Sequence, residues 1–338
     1  MDDTEKAGEI SRRDLARLAL AVGVAGAACG GTAHAANALS AKGTGNSVLA
    51  ADITPDALEK IGAKVTRTNS MHLSGWIANY AHDVIKLSAR MAATYNAKWE
   101  DVPETIAMDD LDRLDYLKNR PNQLRFIDTT KVADGAPVHG QLVGTSDVCC
   151  PSLCLNAYAA RRDAVLSTAE HLFVAGMYHR NELKVELMHR HTSFRAAETV
   201  CIGTEGDVRQ CLTSERDRWL DVGKQLGMTF TWQQVDAADC FMDPRAAGSF
   251  AGANADEMVK YELMANDIAI GSTNYLGNFV GERFKIQCGG APAFTGCAGI
   301  GIERFIRAQI LANGLDPAGW SNLANVVIPP RIEAAKKA

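Results

Sequence analysis

The chain has 338 residues, 47% hydrophobic and 22% charged, enough apolar content to bury a full core. A net charge of −5 argues against a broad nucleic-acid surface and leaves room only for a local basic groove. Nine cysteines, an odd number without a C-x-x-C pair, argue against a disulfide framework and a closed zinc knuckle.

Residues 1–40 stand apart as a signal-like or disordered extension. Ser11-Arg12-Arg13-Asp14-Leu15-Ala16-Arg17 precedes an apolar run from Leu18 to Ala28, and Ala33-His34-Ala35 offers small residues for cleavage. This is the pattern of a twin-arginine export signal, with an apolar run too short to span a bilayer. Residues 54–95 then read as helical, with an apolar stripe through Leu73, Ile77, Ala81, Ile85 and Leu87. A charged helix is expected over Asp109–Leu117, closed by Asn119-Arg120-Pro121. Val143–Tyr158 combines a short strand with a cysteine-rich turn at Pro151, and Ala159–Leu172 reads as helix.

Strand-like runs follow at Phe173–Tyr178 and Glu198–Ile202, then a well-capped helix over Gly206–Gly227. Further strands are expected at Thr229–Trp232, Val259–Leu263, Ile268–Ser272 and Phe284–Gln287, and a last helix over Ile302–Leu311, stopped by Asn313-Gly314. Strands linked by hairpins rather than crossover helices predict an α+β fold, an antiparallel sheet with helices packed on it.

The chemistry concentrates late in the chain. Arg180 and Glu182 lie two apart on a predicted strand, so both side chains share one face. An arginine there neutralises phosphate while the glutamate accepts from an amine. Arg190, Arg195 and Glu198 follow. Glu262 offers a ligand for a divalent ion among phosphate oxygens, and Asn274 a reader of a polar substrate. Cys297-Ala298-Gly299-Ile300-Gly301-Ile302-Glu303-Arg304 joins a possible metal thiolate to a glycine pair and an arginine at a helix start. Such glycines let a backbone approach a ligand closely, and the helix start favours an anion, as a nucleotide triphosphate requires. Taken singly, each of these residues also fits a solvated or core position; their order raises the odds of a site.

Arg180-x-Glu182 and Gly299-Ile300-Gly301-Ile302-Glu303-Arg304 resemble motifs two and three of class II aminoacyl-tRNA synthetases. More narrowly, residues 140–325 resemble the amino acid:carrier-protein ligases, truncated relatives of the atypical zinc-dependent seryl-tRNA synthetases. Cys149-Cys150-Pro151, Phe194-Arg195-Ala196-Ala197-Glu198, Ile202-Gly203-Thr204, Arg218-Trp219, Lys260-Tyr261-Glu262-Leu263 and Asn274-Tyr275 carry the likeness as well. The resemblance implies a class II synthetase-like antiparallel sheet flanked by helices, with 41–140 as its N-terminal helical part and 141–330 as the catalytic core.

By the same resemblance, Zn²⁺ is held by Cys149, Glu198 and Cys297, with Cys150 as the alternative if the register slips by one. Three protein ligands leave a position for the free α-amine of a substrate. Arg180 is implied at the α-phosphate and substrate carboxylate, Glu182 at the adenine amine, Arg190 near ATP and Arg304 at the far side of the nucleotide. Glu262 and Asn274 complete the site, with Mg²⁺ on the phosphates. The implied reaction is adenylation of a small amino acid and its transfer to the phosphopantetheine thiol of a holo acyl or peptidyl carrier protein, by a homodimer.

His179 departs from the family's phenylalanine, Asp239–Pro244 is a loose match, and Lys184–Met188 replaces a proline-containing loop. These departures bear on substrate choice. ATP and carrier proteins imply a cytoplasmic location, whereas the N-terminal pattern points to export and to a non-catalytic amino-acid- or metal-binding paralogue. Aminoacylation of tRNA or of a small molecule is the other alternative. The acidic balance and the lack of a long helical arm in the first sixty residues count against tRNA.

Overall fold

The computed structural model describes residues 53–329 apart from 134–135, 183, 236–258 and 267. The signal-like segment and the 239–244 match therefore lie outside the described residues. A seven-stranded sheet organises the rest. Its strands are β1 (Lys98–Trp99), β2 (Glu170–His179), β3 (Ser193–Gly203), β4 (Phe230–Val235), β5 (Val259–Ala265), β6 (Ile268–Tyr275) and β7 (Phe294–Gly301). The order is β4-β5-β6-β7-β3-β2-β1, antiparallel throughout except for the parallel edge pair β1–β2.

Alternation along the strands separates two faces. On the back, Phe173, Ala197 and Ile300 pack with three long helices in one apolar cluster. The helices are α1 (Gly75–Ala93), α2 (Glu205–Gln225) and α3 (Ile302–Asn313). α1 buries Ile77, Ala81, Val84, Leu87 and Met91, the three-to-four spacing of one helical face. α2 starts at a reciprocal capping box between Thr204 and Asp207, which satisfies two otherwise orphaned backbone donors. On the front, Leu172, Val174, Ala196, Val200 and Cys297 form a second cluster with the short helices Cys154–Ala159 and Phe279–Phe284. No described helix is long and apolar enough to cross a membrane.

Several expectations shift. The helix expected over 54–95 is broken by a small hairpin, Ala63–Val65 with Met71–Leu73, so Leu73 ends a strand rather than joining the stripe. The expected Asp109–Leu117 helix becomes two short turns of helix, Met108–Arg113 and Tyr116–Asn119, separated by left-handed Asp115. Ala159–Leu172 is not helical. The helix ends at Ala159, Asp163 turns the chain at φ 60°, and Arg161 folds back to pair with Glu100 and Glu170 at 2.6 Å. Phe284–Gln287 is split by left-handed Lys285, which closes a helix instead of opening a strand. The boundary set at 140 falls inside the strand Ala136–Cys149, which pairs with Phe126–Ala133 and Thr105–Ala107. The segment before it is therefore partly sheet. The glycines at 299 and 301 lie on β7 rather than in a turn.

Candidate functional site

A pocket of about 440 Å³ opens on the front face, along the C-terminal half of β7. It is lined by Arg180, Glu182, Arg190, Glu262, Asn274 and Arg304, all named from sequence, and by Glu198 and Cys297. Strand pairing explains the convergence. Asn274 lies opposite Cys297 and Lys260, and Glu262 opposite Ser272, which itself lies opposite Gly299. Glu198 lies opposite Gly299 across β3–β7. Directly opposed residues share a face, so four strands deliver their polar side chains to one place.

At one end sit three arginines. Arg304, in the first turn of α3, is held by the carbonyls of His189 (2.7 Å) and Ala269 (3.0 Å). Burial, then the positive charges of Arg180 and Arg190, bring its pKa down to about 10. Arg180 lies just past the end of β2 and donates from Nε to Pro151 O at 3.1 Å; its guanidinium also covers the rings of Tyr178 and Phe194. Arg190 reaches Glu182 at 3.4 Å. Lys260 and Glu262 pair at 2.8 Å on the opposite wall. Crowded cations with few carboxylates favour a multiply charged anion.

At the other end is a buried donor set. Ligand atoms of Cys154, Glu198 and Cys297 lie within 4.8 Å of one another. Glu198 is 2% exposed, accepts a 3.3 Å hydrogen bond from Ser152 Oγ, and leaves Oε2 without a partner. Burial raises its pKa to about 7. Burial likewise pushes Cys154 well up. For Cys297 the Cys154 hydrogen bond lowers the pKa most, yet burial and Glu198 leave a net rise. Burial favours the neutral form of both thiols and of the carboxyl. A soft or borderline cation suits such a set: it would satisfy Oε2 and reverse all three shifts.

The third donor of this cluster differs from the expectation. Cys149 ends a strand, pairs with Thr105, and takes no part in the cluster. Cys150 is a satisfied core thiol that donates to Ser152 O at 3.0 Å, with its pKa pushed up to about 12 by burial. The turn at Pro151 and the helix that follows it instead bring Cys154 to Glu198. Sequence reading passed over Cys154 because the turn's geometry, not its composition, selects among three nearby cysteines. Lys260 and Ser152 were also missed as pocket residues.

Two motif residues serve structure. The Glu303 carboxylate, 2% exposed, accepts from the Arg195 guanidinium at 2.8 Å and from the Arg195 backbone N–H at 2.9 Å, tying α3 to β3. Arg195 therefore points to the back and not into the pocket. Gly299 makes room for Glu198, because a Cβ there would lie 3.0 Å from Glu198 Cγ.

No protein-family model matches the chain. It is 28% identical over 270 residues to amino acid–[acyl-carrier-protein] ligase 1 of Bradyrhizobium diazoefficiens, covering 72% of this chain and 80% of that one. Ligase 2 of the same organism is 27% identical over 243 residues, covering 64% and 70%. The chain is a class II synthetase-like relative of the carrier-protein ligases. The fold of this ligase relative is also that of the M. kandleri seryl-tRNA synthetase solved with A. aeolicus tRNASec, at TM-score 0.66 and 18% identity over 79% of the chain. The Pyrococcus horikoshii seryl-tRNA synthetase solved with ATP gives TM-score 0.59 and 12% identity over 78%. The ligase relative spans 59% of the length of each of these two synthetases.

Proposed function

We propose that the chain activates a small α-amino acid with ATP and passes it to the phosphopantetheine thiol of a holo carrier protein. The observation that carries this reading is one front-face strand, β7, with a buried Cys–Glu–Cys set at Cys297 and an arginine cluster past Gly301. An amine and a phosphate chain bound at these two ends would meet at the carboxyl–phosphate junction.

In the first step the amino-acid carboxylate oxygen bonds to the α-phosphorus and pyrophosphate leaves. In the second, the carrier thiolate attacks the carbonyl carbon and AMP leaves. Arg180, in the arginine cluster, would neutralise both the carboxylate and the α-phosphate. Arg304, held by backbone carbonyls before any ligand arrives, would meet developing charge without reorganising. Arg190 and Glu182 would flank the nucleotide, Glu182 accepting from the adenine amine. Asn274, with Oδ1 buried and unpartnered, would accept a hydrogen bond from substrate. Alignment of two bound reactants supplies most of the rate.

Cys154, Glu198 and Cys297 would hold Zn²⁺, which when bound supplies an electrophilic position for a free α-amine. Glu262 would hold Mg²⁺ on the phosphates. A cytoplasmic location follows from ATP and carrier, and a homodimer through the open edge at β1 accounts for Trp99, which is 54% exposed.

The test is amino-acid-dependent exchange of labelled pyrophosphate into ATP, followed by mass measurement of a holo carrier protein and of tRNA offered in parallel. Exchange with a small amino acid and a mass gain on the carrier alone are expected. Absence of exchange with every small amino acid would refute the proposal, and charging of tRNA alone would move it to the synthetases.

A further inference from the structure

Behind the sheet, on the face turned away from the pocket, a second donor set is built from three elements. His171 on β2 lies directly opposite Cys201 on β3, so both side chains project from the same face. Cys211 comes down from α2, and ligand atoms of His171, Cys201 and Cys211 lie within 4.8 Å of one another. Both cysteines are buried, at 1% and 0% exposure, while His171 is half-buried. A four-coordinate zinc with two thiolates places its sulfurs about 3.8 Å apart, within the spread that these elements impose.

The surroundings suit ligation. Tyr95 stacks on the His171 ring at 5.4 Å and donates its hydroxyl to Cys211 O at 3.1 Å, which fixes both the imidazole and the first turns of α2. The guanidinium of Arg218 lies 4.6 Å from the centroid of this tyrosine ring. It is 3% exposed, and neither Nη nitrogen has a hydrogen-bond partner. Cys201 and Cys211 are joined as a disulfide in the structure, and a disulfide alone would have no use for a third, nitrogen donor at this distance.

We propose that reduced Cys201 and Cys211 form, with His171, a second metal site for a cation of the zinc or copper(I) class, and that the disulfide is its metal-free oxidised state. Three protein ligands leave a fourth position open on the metal. Interconversion balances with a small disulfide such as oxidised glutathione: the two cysteine sulfurs give up two electrons, the glutathione S–S bond accepts them and becomes two thiolates, and the metal leaves. This site is separate from the pocket and stands whether or not the ligase reading does.

Cobalt(II) reports thiolate ligation by its sulfur-to-metal charge-transfer absorption. The full chain carrying Cys154→Ser and Cys297→Ser, kept reduced with a phosphine, should still bind one cobalt with that absorption. Adding Cys201→Ser should abolish it. Adding His171→Gln instead, which leaves both cysteines able to form the disulfide, should weaken it about tenfold or more, at least the size that outer-shell changes reach. Oxidised glutathione should remove both the band and two titratable thiols, and a dithiol should restore them. No thiolate band in the reduced double variant, a band indifferent to His171→Gln, or a disulfide that persists under reductant would each overturn the proposal.

Discussion

Replacing Gly299 by alanine separates folding from site geometry. Gly299 occupies the middle of β7, and its missing Cβ is the space into which the stem of Glu198 projects. An added methyl would sit 3.0 Å from Glu198 Cγ, 3.6 Å from Cδ and 3.7 Å from Ala197 O. Carbon atoms prefer about 3.5–4.0 Å, so Cγ must retreat by about half an ångström. Alanine in a strand interior regains about 0.5–1 kcal/mol of backbone entropy, which offsets much of the strain. Thermal stability should change little. The carboxylate, however, leaves its place between Cys154 and Cys297. Misplacement by a full ångström costs about a hundredfold in rate, so a tenfold fall in amino-acid-dependent pyrophosphate exchange is expected, with reduced zinc retention. Gly301→Ala is the control, since its Cβ would find nothing closer than 3.6 Å, and zinc content should be unchanged. Wild-type exchange and zinc content in Gly299→Ala would refute the claim that this glycine positions Glu198.

Cys297→Ala and Cys154→Ser should each lose the pocket zinc and amino-acid activation, whereas Cys149→Ser should keep both. Zinc lost from Cys149→Ser and kept by Cys154→Ser, measured by metal analysis, would restore the original ligand set. Glu303→Gln leaves Arg195 without its buried carboxylate and should destabilise the protein by about 3 kcal/mol, read by denaturant unfolding. Glu215, buried on α2 and bonded to Thr199 Oγ1, has its pKa raised by burial to about 7. The folded state then holds this proton more tightly than the unfolded one. Its stabilising contribution is full below the unfolded value near 4.5 and is lost as pH rises through about 7. Glu215→Gln should therefore raise stability at pH 8 relative to pH 5, by up to about 3 kcal/mol; an unchanged pH profile of unfolding would contradict this.

The arginine end of the site was legible because its residues are tied to local pattern. Arg304 opens a helix, and Arg180 and Glu182 follow an apolar strand run whose period is visible. The donor end was half legible. Glu198 and Cys297 sit on strands with clear alternation, but the third donor, Cys154, depends on how a proline turn and a single helical turn fold over the sheet. The exposed pair Phe126–Ala133 and Ala136–Cys149 gave little signal because both faces carry polar residues and no alternation marks a buried side. Gly299 and Gly301 read as a place of close backbone approach to a ligand, yet at Gly299 the absent side chain makes room for Glu198 within the strand. Arg195 illustrates the converse: it belongs to a functional motif, but period-two geometry directs it to Glu303 behind the sheet.

The two ends of the pocket are spaced by β7 itself. Cys297 and Gly301 are four residues apart on an extended strand, roughly 13 Å. A strand cannot stretch, and inserting one residue would turn every later side chain to the opposite face. β7 is therefore a ruler of fixed length, one that admits variation in what fills the pocket but not in how far a group bound at Cys297 would lie from one bound at the arginines. An adenylate mimic lengthened by a single methylene between these groups could satisfy one end only.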